Sequence, residues 1–168
     1  MELGPHAPHR GMGATLNRQV FLMFDSLLVV CTGNICRSPM AEALLSESLC
    51  PHGKRVTSAG IAALVGHPPD PLAEQVMKEH GHDISAHRAR QLNAALLSAA
   101  DLVLVLDEGH QRWIVENFPQ FRGRVHKLGK WRDNVDVADP YRLPYEAFKQ
   151  AYLAIEAFLT DWTPHLVA

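Results

Sequence analysis

Residues 29–39 read Val29-Val30-Cys31-Thr32-Gly33-Asn34-Ile35-Cys36-Arg37-Ser38-Pro39. The apolar run Leu27-Leu28-Val29-Val30 ends on the thiol of Cys31, and it shows no polar–apolar alternation, as expected of a parallel strand covered on both faces. Ser38 suits an N-cap and Pro39 a first helical residue. Ala41, Leu44, Leu45 and Leu49 then recur at helical spacing up to the breaker Pro51. The stretch therefore predicts a strand, a short loop and a helix start.

The same alternation continues downstream. Val56 to Ala59 predicts a second strand, Pro71 to His80 a helix stopped by Gly81, and Asn93 to Ala99 another helix. Leu102 to Leu106 predicts a third strand, Glu108 to Asn117 a helix and Val125 to Lys127 a fourth, weaker strand. Tyr145, Phe148, Tyr152, Ile155 and Leu159 form one apolar stripe of a last helix. Alternating strands and helices predict an α/β fold: one domain with a four-stranded parallel sheet and helices on both faces. Open sheets of this kind bind ligands outside the carboxyl ends of their strands, which is where the loop from Cys31 to Ser38 lies.

With 168 residues, 47% of them apolar, the chain has enough material for one substantial core. Sixteen basic against eighteen acidic side chains leave a formal charge of −2, so no overall basic field exists for nucleic acid or an anionic membrane, and any anion site must be local. Three cysteines make no disulfide framework, and Cys31 and Cys36 lack the downstream pair a zinc site needs; a reducing, cytoplasmic compartment is expected. No apolar run is long enough to span a bilayer, so membrane insertion is not expected. Residues 1–25, rich in Gly, Pro and His, read as a disordered extension before a domain at 26–168, with Met23 a candidate natural start.

A loop wrapped over a helix N-terminus presents unpaired N–H groups and a partial positive charge, a cradle for a tetrahedral dianion. Gly33 permits the tight path, and the Arg37 fork can take two phosphate oxygens at once. The Gly-x4-Gly-Lys-Ser/Thr pattern of nucleotide-binding loops is absent, and this loop begins with a thiol. An array that attracts phosphate also favours a thiolate, so Cys31 is expected to be nucleophilic at neutral pH, with Ser38 donating to it. A bare Cys-x5-Arg arises often by chance; Gly33, Asn34, Ser38 and Pro39 in register between strand and helix make this one a chemical device. An oxygen leaving group needs a proton, and Asp139 in Ala138-Asp139-Pro140-Tyr141 is the candidate acid, with Pro140 stiffening its loop and Tyr141 offering an aromatic wall.

With these residues in place the chain resembles the low-molecular-weight protein tyrosine phosphatases. The resemblance rests on VVCTGNICRSPMAEALL, TSAG, ISAHRARQL, DLVLVLD and DPYRLPYEAFKQAYLAIE, in that order over nearly all of residues 26–162. The GIAALVGHPPD and ADPYRLPYEAF segments resemble the bacterial branch that acts with exopolysaccharide-export tyrosine autokinases. The resemblance implies a metal-free, cofactor-free hydrolase of protein phosphotyrosine that releases inorganic phosphate. In it Cys31 is the nucleophile, Arg37 the phosphate-binding arginine, Ser38 the hydroxyl that steadies the thiolate and Asp139 the general acid. Thr32, Gly33, Asn34, Ile35, Cys36, Arg37 and Ser38 would line the phosphate. Asn34, Ser38, Ser58 and His87 would support the loop, and Tyr141 would wall the pocket. Cys36 matches a second loop cysteine that can form a reversible disulfide with Cys31; simple packing is the equal alternative.

Three rival readings share the fold or the site. An arsenate reductase would need further cysteines, and Cys50 has no partner downstream. An arginine-phosphate phosphatase is nearer, but the family's arginine preference goes with threonine at position 35, where this chain has Ile35. A non-catalytic phosphate-binding module would not need both Cys31 and Asp139. Elsewhere, His80, His82 and His87 lack acidic or thiolate companions at ligand spacing, so no metal is expected. His87 to Arg90 is too short for a nucleic-acid patch. Trp113, Trp131 and Trp162 read as packing residues, and Asp107 as a residue shaping the cleft without catalysing.

Overall fold

The computed structural model describes residues 23–167. The expectation for residues 1–22 lies outside them. Phe24 packs against the core, and the Asp25 carbonyl accepts from the Arg55 N–H at 2.8 Å. The strands are β1 (Ser26–Cys31), β2 (Arg55–Gly60), β3 (Leu102–Val105) and β4 (Val125–Lys127). The helices are α1 (Arg37–Leu49), α2 (Pro71–Glu79), α3 (Ala94–Ala99), α4 (Glu108–Asn117) and α5 (Tyr145–Leu166), with 3-10 turns at Cys50–His52 and Pro119–Arg124.

All pairings are parallel, in the order β2-β1-β3-β4. The central strand shows why its sequence does not alternate: Leu27 to Cys31 are all buried, facing alternately two separate cores. Leu27, Val29 and Cys31 join Met40, Leu45 and Leu49 of α1, Val76 and Met77 of α2 and the stripe of α5 on one side. Leu28 and Val30 join Leu97 of α3 and Ile114 of α4 on the other. Helices on both faces of a parallel sheet are thus the observed architecture. On α5 the stripe runs through Phe148, Tyr152, Ile155 and Leu159 and extends to Trp162 and Leu166; burying each such side chain contributes roughly 1.5–3 kcal/mol.

Two boundaries differ from the sequence reading in an informative way. Helix α1 starts at Arg37, with Cys36 as a cap residue that makes no side-chain cap bond. Ser38 is therefore inside the first turn, so its hydroxyl is not spent on capping. Asn93 is the N-cap of α3 and not its first residue, its side chain accepting from the Leu96 N–H at 2.9 Å.

From β1 the chain crosses to β2 on one side and then returns to β3 on the other, so the carboxyl end of β1 lies at the switch in strand order. The loops after β1, β3 and β4 all open at that edge.

Candidate active site

The loop from Cys31 to Arg37 curls over the start of α1. Its sharpest bend is at Asn34, whose φ of 57° is left-handed, a conformation that asparagine tolerates better than most residues. Four contacts hold it there. The Asn34 Oδ1 accepts from the Arg90 N–H at 2.9 Å, which fixes its Nδ2 as the donor to Ser38 Oγ at 2.8 Å and Ser58 Oγ at 2.9 Å. The Asn34 carbonyl accepts from His87 Nε2 at 2.7 Å. Ser58, having accepted from Asn34, donates to Glu42 Oε2 at 3.0 Å, and that same carboxylate oxygen stands 3.5 Å from His87 Nδ1.

The polarity of this network reaches the sulfur. Ser38 Oγ accepts from Asn34, which leaves its proton for Cys31 Sγ at 2.8 Å, and the Asn34 backbone N–H points at the same sulfur at 3.3 Å. Two donors converge on one buried thiol, the arrangement a thiolate accepts from. Cys36 is different. Burial first, then the negative charge of Asp70, pushes its thiol far up, so it stays protonated at neutral pH. Both loop thiols are free.

Arg37 is buried at 2% exposure, and its neighbours divide its fork. Nη1 donates to Asp107 Oδ2 at 2.8 Å and to the Val137 carbonyl at 2.7 Å, while Nη2 lies 3.6 Å from Asp139 Oδ2. Burial raises the Asp107 carboxyl, but the hydrogen bond from Arg37 and the backbone of α4 outweigh it and hold the group below the usual carboxylate range. Asp139 is half-exposed, and its Oδ1 accepts from the Tyr141 N–H at 3.1 Å, an Asx turn that braces the loop. One cavity is lined by Cys31, Thr32, Gly33, Ile35, Cys36, Arg37, Ala62, Leu64, Asp139 and Tyr141. Thiol and arginine from one stretch and the carboxylate from another about a hundred residues away share its wall, and Ile35, Leu64 and Tyr141 supply its apolar part. Asn34 and Ser38 lie behind that wall, with Ser58 and His87 in the network supporting it.

The family model for low molecular weight phosphotyrosine protein phosphatase matches residues 26–168. The chain belongs to this family. It is 49% identical over 146 residues to the probable low molecular weight protein-tyrosine-phosphatase EpsP of Ralstonia nicotianae, covering 87% of this chain and 99% of the relative. Its fold matches Vibrio vulnificus Wzb in complex with benzylphosphonate (TM-score 0.79, 42% identity, 83% of this chain and 97% of that one). It also matches the YwlE arginine phosphatase from Geobacillus stearothermophilus (TM-score 0.77, 36% identity, 82% and 90%). The α/β fold and hydrolase class implied by the sequence motifs are those of this phosphatase.

Several residues of the site are not singled out from the sequence, although three of them lie within the segments that carry the family resemblance. Gly60, at the end of β2, is one: a Cβ there would sit 2.4 Å from the Thr32 carbonyl oxygen and 3.0 Å from the Asn34 nitrogen, so only glycine lets the loop after β1 lie against β2. Arg90 braces Asn34 directly from its loop, and Glu42 of α1 does so through Ser58. His110 is the fourth. It forms a capping box with Asp107, accepting the Asp107 N–H on Nδ1 at 3.2 Å, and this tautomer lets Nε2–H donate to Thr32 Oγ1 at 2.9 Å. Its longer approaches, 3.5 Å to Arg37 Nη2 and 3.4 Å to Asp107 Oδ1, do not suit that tautomer as hydrogen bonds and are packing contacts. Among the described residues no helix is long and apolar enough to cross a membrane.

The neutral state of His110 has a measurable consequence. Burial, with the Arg37 charge second, lowers its imidazole to about 4 from a reference of 6.5. The unfolded chain therefore binds a proton that the folded one refuses. Stability is complete above about pH 6.5 and declines as pH falls toward 4, by about 3 kcal/mol for this group. His126, lowered to about 4 chiefly by burial, adds to the same window. Urea unfolding at pH 7 and pH 4 is expected to show a smaller loss of stability in His110→Gln than in the wild type, because glutamine keeps the capping acceptor without titrating. Equal losses in the two proteins would contradict this assignment.

Proposed function

We propose that this phosphatase hydrolyses protein phosphotyrosine through a phosphocysteine on Cys31. The observation that carries the reading is the directed chain from Glu42 through Ser58, Asn34 and Ser38 that leaves donors, not acceptors, facing the Cys31 sulfur. In the first step the Cys31 thiolate forms an S–P bond as the P–O bond to the aryl group breaks, and Asp139 gives its proton to the departing phenolate. Loop N–H groups and the Arg37 guanidinium carry the charge on the equatorial oxygens, a task done elsewhere by metal ions. In the second step water attacks phosphorus, its proton passes to the Asp139 carboxylate, the S–P bond breaks, and inorganic phosphate leaves with the thiolate restored.

The physiological substrate that best fits is a bacterial tyrosine autokinase of exopolysaccharide export. Its support is the likeness to EpsP and Wzb together with the GIAALVGHPPD and ADPYRLPYEAF segments. A cytoplasmic location accords with such a partner.

A second reading, phosphoarginine, has one observation in its favour, the fold likeness to an arginine phosphatase. The cavity favours the first. Ile35, Leu64 and Tyr141 offer apolar contact to a flat ring and no acidic partner for a guanidinium beyond Asp139. Matched peptides carrying phosphotyrosine or phosphoarginine separate the two readings. We expect the phosphotyrosine peptide to be preferred in kcat/KM by more than about tenfold, with activity undiminished by a chelator. Preference for phosphoarginine, or loss of turnover on chelation, would refute the reading.

A further inference from the structure

Lys127 ends β4 and is buried at 7% exposure, yet it does not line the phosphate cavity. Its Nζ donates to the Asn134 carbonyl at 2.5 Å and pairs with Asp136 Oδ1, also at 2.5 Å. Asp136 Oδ1 accepts in addition from the Glu108 N–H at 3.1 Å, so one carboxylate joins the end of β4 to the start of α4. The intervening loop folds tightly on itself. Asp133 and Asn134 are both left-handed at φ 55°, and a Cβ at Gly129 would fall 2.0 Å from the Val135 carbonyl oxygen.

The acid-bearing part of the loop comes directly after this folded segment. Val137 N–H donates to the Leu106 carbonyl at 2.8 Å, the Val137 carbonyl receives Arg37, and Asp139 comes two residues later. Burying the lysine of an ion pair whose carboxylate stays half-exposed is a poor way to gain stability, since an apolar residue of similar volume often serves as well. What a lysine supplies here that an apolar residue does not is direction: it fixes one carbonyl and one carboxylate at set positions. We propose that Lys127 and Asp136 form a clamp that sets the placement of the acid-bearing loop, making both of them positioning residues for proton transfer by Asp139. This rests on the reading of Asp139 as the general acid.

A misplaced acid has a signature that a general loss of structure lacks. Proton donation matters most when the leaving phenolate is basic, so phenyl phosphate depends on it far more than 4-nitrophenyl phosphate. The test measures kcat/KM on both esters, and the inhibition constant of inorganic phosphate, for wild type, Lys127→Met, Asp136→Asn and Asp139→Ala at a temperature where circular dichroism shows each folded. For Lys127→Met we expect a loss of about tenfold on phenyl phosphate against less than about threefold on 4-nitrophenyl phosphate, with phosphate inhibition unchanged within about twofold. Asp136→Asn keeps the shape and the Glu108 contact, and it should show the same selectivity more weakly; it carries the test if Lys127→Met does not fold. Equal losses on the two esters, or no loss in a folded variant, would overturn the clamp. If Asp139→Ala itself discriminates no more than the wild type between the esters, the acid assignment fails, and the clamp's role falls with it.

Discussion

Replacing Cys31 with serine is expected to lower kcat on an aryl phosphate by at least about 10⁴-fold while leaving the fold intact. The expectation rests on the surroundings of the sulfur. Ser38 Oγ at 2.8 Å and the Asn34 N–H at 3.3 Å are set to donate. A hydroxyl in that place does not ionise at neutral pH, so the donors meet a neutral oxygen and the attack loses its nucleophile. Inorganic phosphate should still bind, because the loop amides and Arg37 are untouched. Measuring kcat beside the phosphate inhibition constant checks both halves: residual turnover within about 100-fold of wild type would place the chemistry on another group.

The second large effect is expected at Arg37. Lysine keeps the charge but has one point of donation where the guanidinium has a planar fork, and here the fork is divided between Asp107, the Val137 carbonyl and the cavity. Arg37→Lys is therefore expected to lose about 10³-fold in kcat/KM and to weaken phosphate inhibition markedly, unlike Cys31→Ser. It should also lower the melting temperature, since Asp107 and Val137 lose their shared partner within the fold. Near-normal phosphate binding by Arg37→Lys would show that the loop amides alone hold the anion.

The parts of the molecule legible in its sequence are those whose cause is local. A strand buried on both faces needs an unbroken apolar run, and Leu27 to Val30 supply one; a helix needs a stripe, and Tyr145 to Leu159 supply it. The proposed nucleophile, arginine and acid could be named because each sits in a motif with its own turn chemistry: Gly33 and Asn34 for the loop, Pro140 for the acid. The supporting residues have no such local cause. Gly60 is required by how closely the Thr32 carbonyl approaches β2, and Glu42, Arg90 and His110 meet Asn34, Ser58 or Thr32 across 16 to 78 residues of chain. Nothing near Lys127 in sequence announces the Asp136 that it holds. The Ser38 cap failed for a similar reason. Capping preference is a local rule, and it lost to a tertiary demand, the need for a hydroxyl facing the sulfur one turn earlier.

Everything in the proposed chemistry turns on phosphorus passing through sulfur. Asp139→Ala removes the residue that would activate water in the second step, so the intermediate should outlive its formation when a substrate with a good leaving group is used. Mixing this variant with 4-nitrophenyl phosphate, quenching, and locating the phosphoryl group by peptide mass spectrometry is the direct measurement. A phosphoryl group on Cys31, formed in step with a burst of 4-nitrophenolate, is the expected result. A burst without a phosphorylated Cys31, or a phosphoryl group on any other residue, would contradict it.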